Sequence, residues 1–324
     1  MTLFEKWYAK TAFLAVFFVF GIASGIWIVH ERAEACIKNY TFINASVVCG
    51  KSSVIKKTGY AETQAKIEAF IEEKRVANKI TETAVYFRDL KNGPVFGIKE
   101  TAEFAPASLL KLPLALAYLD EAERNPALLA QTLAFEDTGQ DIYQSFLPSE
   151  TITEGRAYSV EELLRRMLAY SDNLAYELVE THLVKTYGEN ILKDAYLELG
   201  IIAPEDIYTE AISVRRYASI FRVLYNVSFL TPKYSEKALS WLTASDFKIG
   251  LIAGTPKNIR IAHKFGERFT KDGTKQLHDC GIVYYPENPY LLCVMTRGSD
   301  FNELAAVIAQ ISKEVYEEVD SRRL

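Results

Sequence analysis

The sequence is poor in metal-holding residues. Four cysteines and four histidines occur in 324 residues, with no CxxC, no HExxH and no other ligand spacing, so no metal site is expected. It has no GxGxxG, no GxxxxGK(S/T) and no GxSxG string. That removes the commonest nucleotide-binding and α/β-hydrolase readings and leaves no cofactor implied. It also lacks an excess of positive charge: 37 Lys and Arg against 42 Asp and Glu give 37 − 42 = −5, which excludes a nucleic-acid partner held by phosphate neutralisation. An apolar share of 49% and a charged share of 24% exclude a disordered or collagen-like chain.

Charge is uneven along the chain. Residues 1–60 carry seven Lys and Arg against three Glu, a net +4, which leaves −9 for the remainder. Thr11 to Val29 contains no charge at all, and at 1.5 Å per residue its nineteen residues span roughly 28 Å, close to a bilayer's hydrocarbon core. Lys6 and Lys10 precede the run, and Trp7, Tyr8 and Trp27 stand near its ends, the residue types of a membrane interface. A cleaved leader is the rival reading, since Ala33-Glu34-Ala35 offers an A-x-A site, but the site lies well beyond the apolar run. The expectation is an uncleaved single-pass anchor in the cell membrane: a cytoplasmic stub (1–10), a transmembrane helix (11–29), a polar, β-like linker (30–60) and an extracytoplasmic domain (61–324). Export makes a Cys36–Cys49 bridge expected. Cys280 and Cys293 flank Pro286-Glu287-Asn288-Pro289. Symmetric pairing about that turn puts Cys293 opposite Ile282, so these two are expected as buried free thiols.

From Ala61 the pattern is that of one compact unit. Ile67, Phe70 and Ile71 share a face of a helix over 61–77, and strands are expected at 81–89 and 94–99 around Lys91-Asn92-Gly93. Residues 107–124 are apolar nearly all round, as in a helix buried within a domain. Residues 125–245 read as mostly helical, with Ser159 and Glu162 forming a capping box. Strands at 259–265, 277–285 and 290–296 precede a last helix from Asn302, with Leu304, Val307, Ile308 and Ile311 on one face. This is an α+β fold: an antiparallel sheet flanked by its terminal helices, interrupted by an all-helical lobe at about 107–250, with a cleft between the two.

Three short strings fall where that cleft would be. Ser108-Leu-Leu-Lys111 sets a hydroxyl and an amine one helical turn apart. Lys111 lies in an otherwise apolar run, and burial disfavours the ammonium, which makes it a base near neutral pH. Pro106 suits the start of a helix, whose free backbone N–H groups would favour a developing oxyanion at Ser108. The same spacing recurs at Ser53–Lys56 and Ser245–Lys248, so setting must decide. Ser171-Asp172-Asn173 occurs once, after a helix end at Tyr170, and reads both as a helix cap and as cleft-facing polar groups. Lys264-Phe265-Gly266 lies on a predicted strand. There the lysine can hold a carboxylate, and the glycine lets a substrate backbone approach the edge. Lys57-Thr58-Gly59 and Lys271-Asp272-Gly273 have the same form but fall in the linker and in a turn.

In this order and setting the three strings resemble the motifs of serine β-lactamases and penicillin-binding proteins. Separations of 63 and then 93 residues, with the order of elements, resemble class A β-lactamases most, over about residues 61–320. The resemblance implies an acyl-serine hydrolase in which Ser108 attacks an amide or β-lactam carbonyl and Lys111 is the general base. It implies that Ser171 passes a proton to the leaving nitrogen, Asn173 binds the substrate's side-chain amide and Lys264 anchors its carboxylate. The backbone N–H groups of Ser108 and Glu267 would form the oxyanion hole. The implied substrate is a β-lactam or a D-Ala-D-Ala-type cell-wall peptide, taken by a monomer without cofactor. Two departures stand out. No ExxLN string, which carries the family's water-activating glutamate, lies between Leu174 and His263. The corresponding stretch, 203–210, is short and offers only Glu205, Asp206 and Glu210, so slow deacylation is expected. Phe265 also replaces the family's Thr or Ser donor. The alternative is an inactive wall-binding module that kept the cleft and lost the chemistry.

Overall fold

A computed structural model describes residues 31–50, 59–91, 93, 95–136, 144–201 and 211–322, with Ile22, Ser24, Gly25 and Trp27. The expected membrane run 11–29 therefore lies outside the described residues but for those four positions, as does the stretch 203–210. Among the described residues no helix is long and apolar enough to cross a membrane.

Helix α1 (Ala61–Val76) leads into strands β1 (Glu82–Asp89), β2 (Val95–Ile98) and the two-residue β3 (Glu103–Phe104). A 3-10 turn, Ala107–Leu110, runs straight into α2 (Lys111–Arg124). The lobe continues through β4 (Thr132–Ala134), β5 (Ala157–Ser159), α3 (Val160–Ala169), α4 (Asn173–Tyr187) and α5 (Asn190–Glu198). It closes with β6 (Ile212–Ser213), α6 (Val214–Tyr225) and α7 (Pro232–Thr243). Strands β7 (Ile261–Phe269), β8 (Lys275–Val283) and β9 (Tyr290–Gly298) then return to the sheet before α8 (Phe301–Ser321). The five-stranded sheet has the order β2-β1-β9-β8-β7 and is antiparallel throughout, with β7 at one edge.

Period-two alternation divides the sheet's side chains between two cores. Val85, Phe87, Phe265, Leu292 and Val294 meet Ile67 of α1 and Leu304, Ile308 and Ile311 of α8 on one face. Ala84, Ala262, Cys280, Cys293 and Met295 meet the lobe on the other. Burial of each large aliphatic side chain contributes roughly 1.5–3 kcal/mol. Helix α2 is buried from Lys111 to Leu119, as its all-round apolar pattern demands. Ser159 accepts from the Glu162 N–H at 3.2 Å and starts α3. Asp300 accepts from Asn302 and Glu303 and starts α8.

Two expectations are corrected. Residues 31–50 are not β-like: they hold a helical turn at 31–37 and a one-turn helix, Ala45–Val48, closed by the expected Cys36–Cys49 bridge. The segment is docked as well. The Thr41, Phe42 and Ile43 N–H groups all donate to the Glu236 carboxylate of α7 at 2.7–3.0 Å. The Tyr284 hydroxyl donates to the Phe42 carbonyl at 2.9 Å.

Cys280 and Cys293 are not free thiols either. They face each other across β8 and β9 and form a disulfide. The turn between these strands is centred on Pro286 and Glu287, the Asn288 N–H bonding to the Tyr285 carbonyl at 3.1 Å. Proline fixes φ at the second turn position and Glu287 takes a left-handed φ of +61°. Symmetry about that pair puts residue 280 opposite 293. Symmetry about Glu287 and Asn288, which the flanking prolines suggest, puts Ile282 there instead.

Non-reducing peptide mapping should therefore recover two bonds, Cys36–Cys49 and Cys280–Cys293. The double substitution Cys280→Ser/Cys293→Ser should lower unfolding stability by about 3 kcal/mol, since the bond closes a loop of ordinary hairpin length. Urea unfolding with and without reductant measures this.

Candidate active site

The three strings converge. Lys111 donates to Ser108 Oγ at 3.0 Å, to the Ser171 carbonyl at 2.7 Å, to Ser171 Oγ at 3.1 Å and to Asn173 Oδ1. Lys264 reaches the same Ser171 hydroxyl from β7, donating to Oγ at 2.9 Å, and also donates to the Phe265 carbonyl at 3.0 Å. The result is one connected path, Ser108–Lys111–Ser171–Lys264, whose two amines are only 2% and 1% exposed. Burial pushes the Lys111 amine down to about 7 against the opposing pull of Asp172 and Glu267. Burial and the neighbouring charge of Lys111 hold Lys264 well below the ordinary lysine range. Near neutral pH this arrangement holds a neutral amine against a serine hydroxyl, the requirement of a general base beside a nucleophile.

Ser108 sits in the 3-10 turn ahead of α2, not within the α-helix itself. Ala107 just before it has φ +48°, and Ser171 has φ +55°. Left-handed φ in a non-glycine residue costs of order 1–3 kcal/mol and survives only where surroundings enforce it. Here the enforcement is visible. The Ala105 N–H donates to Gln276 Oε1 at 3.0 Å, and the Ala105 carbonyl accepts from His278 Nε2 at 3.0 Å. Burial pushes His278 down to about 4, so it is a neutral imidazole donating through Nε2. Tyr217 of α6 donates to the Leu109 carbonyl at 3.0 Å. Ser171 precedes Asp172, whose carboxylate accepts from the Leu174 and Ala175 N–H groups and from Thr151 Oγ1 and the Ile152 N–H. Asp172 thus caps α4 while Ser171 and Asn173 hydrogen-bond to Lys111.

Gly266 and Glu267 also make contacts of their own within the domain. A Cβ at Gly266 would stand 3.0 Å from the Pro106 carbonyl and 3.1 Å from the Leu109 nitrogen. The missing side chain therefore lets β7 press against the nucleophile turn. Glu267 adds its side chain: its carboxylate accepts from the Ser145 N–H at 3.0 and 3.1 Å and from the Phe146 N–H at 2.9 Å. This clasp holds Gln144, whose Oε1 accepts from Asn173 Nδ2 at 3.1 Å. Phe265 belongs to the core under α1 and α8, with its ring stacked on Phe247 at 4.1 Å, edge-on to Phe146 at 6.1 Å and centred 4.5 Å from Lys264 Nζ.

Gln276, His278, Tyr217, Gln144 and the Glu267 carboxylate are absent from the sequence-derived set. Each acts across 29 or more positions of chain, and the signal in the sequence is correspondingly weak. Of the competing strings, Ser245–Lys248 lies in a loop where Lys248 donates to the Ser245 carbonyl; the loop's Asp246 and Phe247 lie near Lys264 and Phe265, but among the described residues neither Ser245 nor Lys248 hydrogen-bonds to this path. Lys271-Asp272-Gly273 is the β7–β8 turn. Ser53, Lys56, Lys57 and Thr58 lie outside the described residues.

The profile of the β-lactamase enzyme family matches residues 62–319, and the chain belongs to that family. In fold it is a class A-like member of the serine β-lactamase and penicillin-binding protein superfamily. It is similar to a mutant of PBP-A solved as an acyl-enzyme complex with penicillin G, with a TM-score of 0.67 and 20% identity over 83% of this chain and 100% of that one. It is also similar to a β-lactamase from Chitinophaga pinensis (TM-score 0.65, 20% identity, 78% of this chain and 99% of that one). A β-lactamase from Burkholderia phymatum gives a TM-score of 0.63 at 19% identity, covering 79% and 98%. No curated protein matches the sequence.

Because Phe265 is embedded in an aromatic cluster, Phe265→Ala should cost about 3–5 kcal/mol of stability, read from urea unfolding. Phe265→Thr should destabilise comparably, since it too removes the ring from the cluster.

Proposed function

We propose that the chain is a membrane-anchored acyl-serine hydrolase acting on β-lactams or D-Ala-D-Ala-type cell-wall peptides, quick to acylate and slow to deacylate. The unbroken Ser108–Lys111–Ser171–Lys264 path between two buried amines carries this reading. Neutral Lys111 takes the Ser108 proton as Oγ bonds to the substrate carbonyl carbon. The negative oxygen that develops faces the Ser108 and Glu267 backbone N–H groups. Ser171 gives its proton to the leaving nitrogen and is reprotonated by Lys111, which completes acylation with the amine neutral again. Lys264 steadies the Ser171 hydroxyl and draws the substrate's carboxylate. Asn173, held by Lys111 and Gln144, presents its amide to the substrate's own amide. The PBP-A mutant with penicillin G attached supports a penicillin as a first substrate to try.

Slow release follows from what accompanies Ser108. Among the described residues no carboxylate hydrogen-bonds to Ser108 or Lys111; the partners of Lys111 are Ser108, Ser171 and Asn173. The nearby Glu267 carboxylate is engaged with the Ser145 and Phe146 N–H groups. A positioned general base contributes about 10²–10⁴-fold, and among the described residues none stands at Ser108 to give deacylation that help. Disulfides at both ends of the chain suit an oxidising, extracytoplasmic location, in keeping with an anchor at 11–29.

Fluorescent penicillin should label Ser108 with a burst of one equivalent per chain followed by a slow steady state. Absence of any adduct would favour the wall-binding module, and free turnover without a burst would refute slow deacylation. Acylation needs the neutral form of Lys111, so its rate should rise with pH through about 7 and level off above. Lys111→Ala should lower the rate by about 10²–10⁴-fold, while Lys248→Ala leaves it unchanged. Stopped-flow labelling across pH 5–9 measures both.

A further inference from the structure

A cavity of about 260 Å³ lies between α6 and strands β2, β1 and β9 of the sheet. Its wall is one stripe of α6, Arg215, Ala218, Ser219 and Arg222, the i, i+3, i+4 and i+7 positions of a single helix face. Its floor is Tyr86 and Arg88 of β1, with Leu291 of β9 directly opposite Arg88. Such a stripe ordinarily packs apolar residues onto the sheet. Here the two middle residues are small, which leaves the space open, and arginines stand at both ends and on the floor. Among the described residues Glu100 is the only acid in the lining, and it pairs with Arg215 at 3.0 Å. Neither Arg88 nor Arg222 has a carboxylate partner among the described residues. Three guanidinium groups against one carboxylate leave +2 in a half-enclosed space, on a chain whose net charge is −5.

Like charges gathered this way repel, with water screening the exposed Arg215 and Arg222 in part. An anion between them removes the repulsion. Guanidinium groups present planar forks of donors that match phosphate oxygens two at a time. A tetrahedral phosphate has oxygens enough to meet three forks from different directions, whereas a flat carboxylate has two. The half-buried Tyr86 ring and Leu291 offer an apolar surface beside the charges for a small organic substituent. The geometry points to a binding site for a phosphate-bearing small molecule, a monoester or diester, between α6 and the β1 floor and separate from the Ser108 cleft. Tyr217, which grips the nucleophile turn, projects from a different face of the same helix, so the two sites share α6 without sharing a residue.

Calorimetric titration of the full chain in detergent at low salt, with inorganic pyrophosphate and glycerol phosphate as probes, tests this. One-to-one saturable binding is expected for at least pyrophosphate, weakening as salt is raised. Arg88→Gln and Arg222→Ala should each weaken it by 10-fold or more without changing the melting temperature or penicillin labelling of Ser108. Comparing the two probes separates a bare phosphate requirement from an ester requirement. Failure of both probes to saturate, retention of wild-type affinity in the Arg88→Gln/Arg222→Ala double variant, or equal affinity for citrate would each overturn the proposal. Penicillin labelling is read separately, so loss of the phosphate site and loss of acyl-serine chemistry cannot be confused.

Discussion

Two buried lysine amines share one serine hydroxyl, and the rest of the molecule is organised around that constraint. Ser171 Oγ accepts from Lys111 at 3.1 Å and from Lys264 at 2.9 Å. Both amines are out of water, where two positive charges so close cannot persist together at little cost. At least one is pushed toward its neutral form. That neutral amine is what can take a proton from Ser108. The domain holds these groups dry by placing them between a helix buried on every side and the lobe-facing side of the sheet.

Holding four side chains in one line requires a scaffold that resists relaxation. The nucleophile turn is gripped at Ala105 by Gln276 and His278, at Leu109 by Tyr217, and pressed by the bare backbone of Gly266. Ser171 is held by the cap at Asp172 that starts α4. Left-handed φ values at Ala107 and Ser171 show that both groups sit where a free chain would not put them. The clasp from Glu267 to residues 145 and 146 ties a lobe segment to the edge strand β7, so lobe and sheet are fixed to one another at the cleft.

The same economy of contacts governs the N-terminal approach to the domain. Three successive N–H groups at 41–43 close around the Glu236 carboxylate, and the Arg260 guanidinium lies 5.0 Å from the Phe42 ring centre. A short disulfide-closed segment seated in this way sets the direction in which the chain leaves the domain. In the proposed anchored protein it would limit how the cleft is presented to the wall.

Local chemistry made much of this legible in the sequence. The apolar periodicity of α1, α2 and α8, the Ser159 cap and the alternation in β7 to β9 depend on neighbours within a few residues, whereas Ser108, Lys111, Ser171, Asn173 and Lys264 were legible as a set only through the order of three short strings and its resemblance to a known family. Register was less accessible. One residue's difference in the centre of the Pro286–Glu287 turn changed the partner of Cys293 from Ile282 to Cys280, because each step in a turn's centre moves a cross-strand pair by two. Tertiary structure alone decided the surroundings of Phe265, an aromatic cluster beside the Lys264 amine, because a strand residue's face is set by what packs on each side of the sheet. It also decided the purpose of Gly266 and the reach of the Glu267 carboxylate. The grip of Gln276, His278 and Tyr217 on the nucleophile turn joins residues more than a hundred positions apart. Hydrogen bonds to backbone groups at that range leave no pattern in the sequence, since any residue can supply the carbonyl or N–H at the other end.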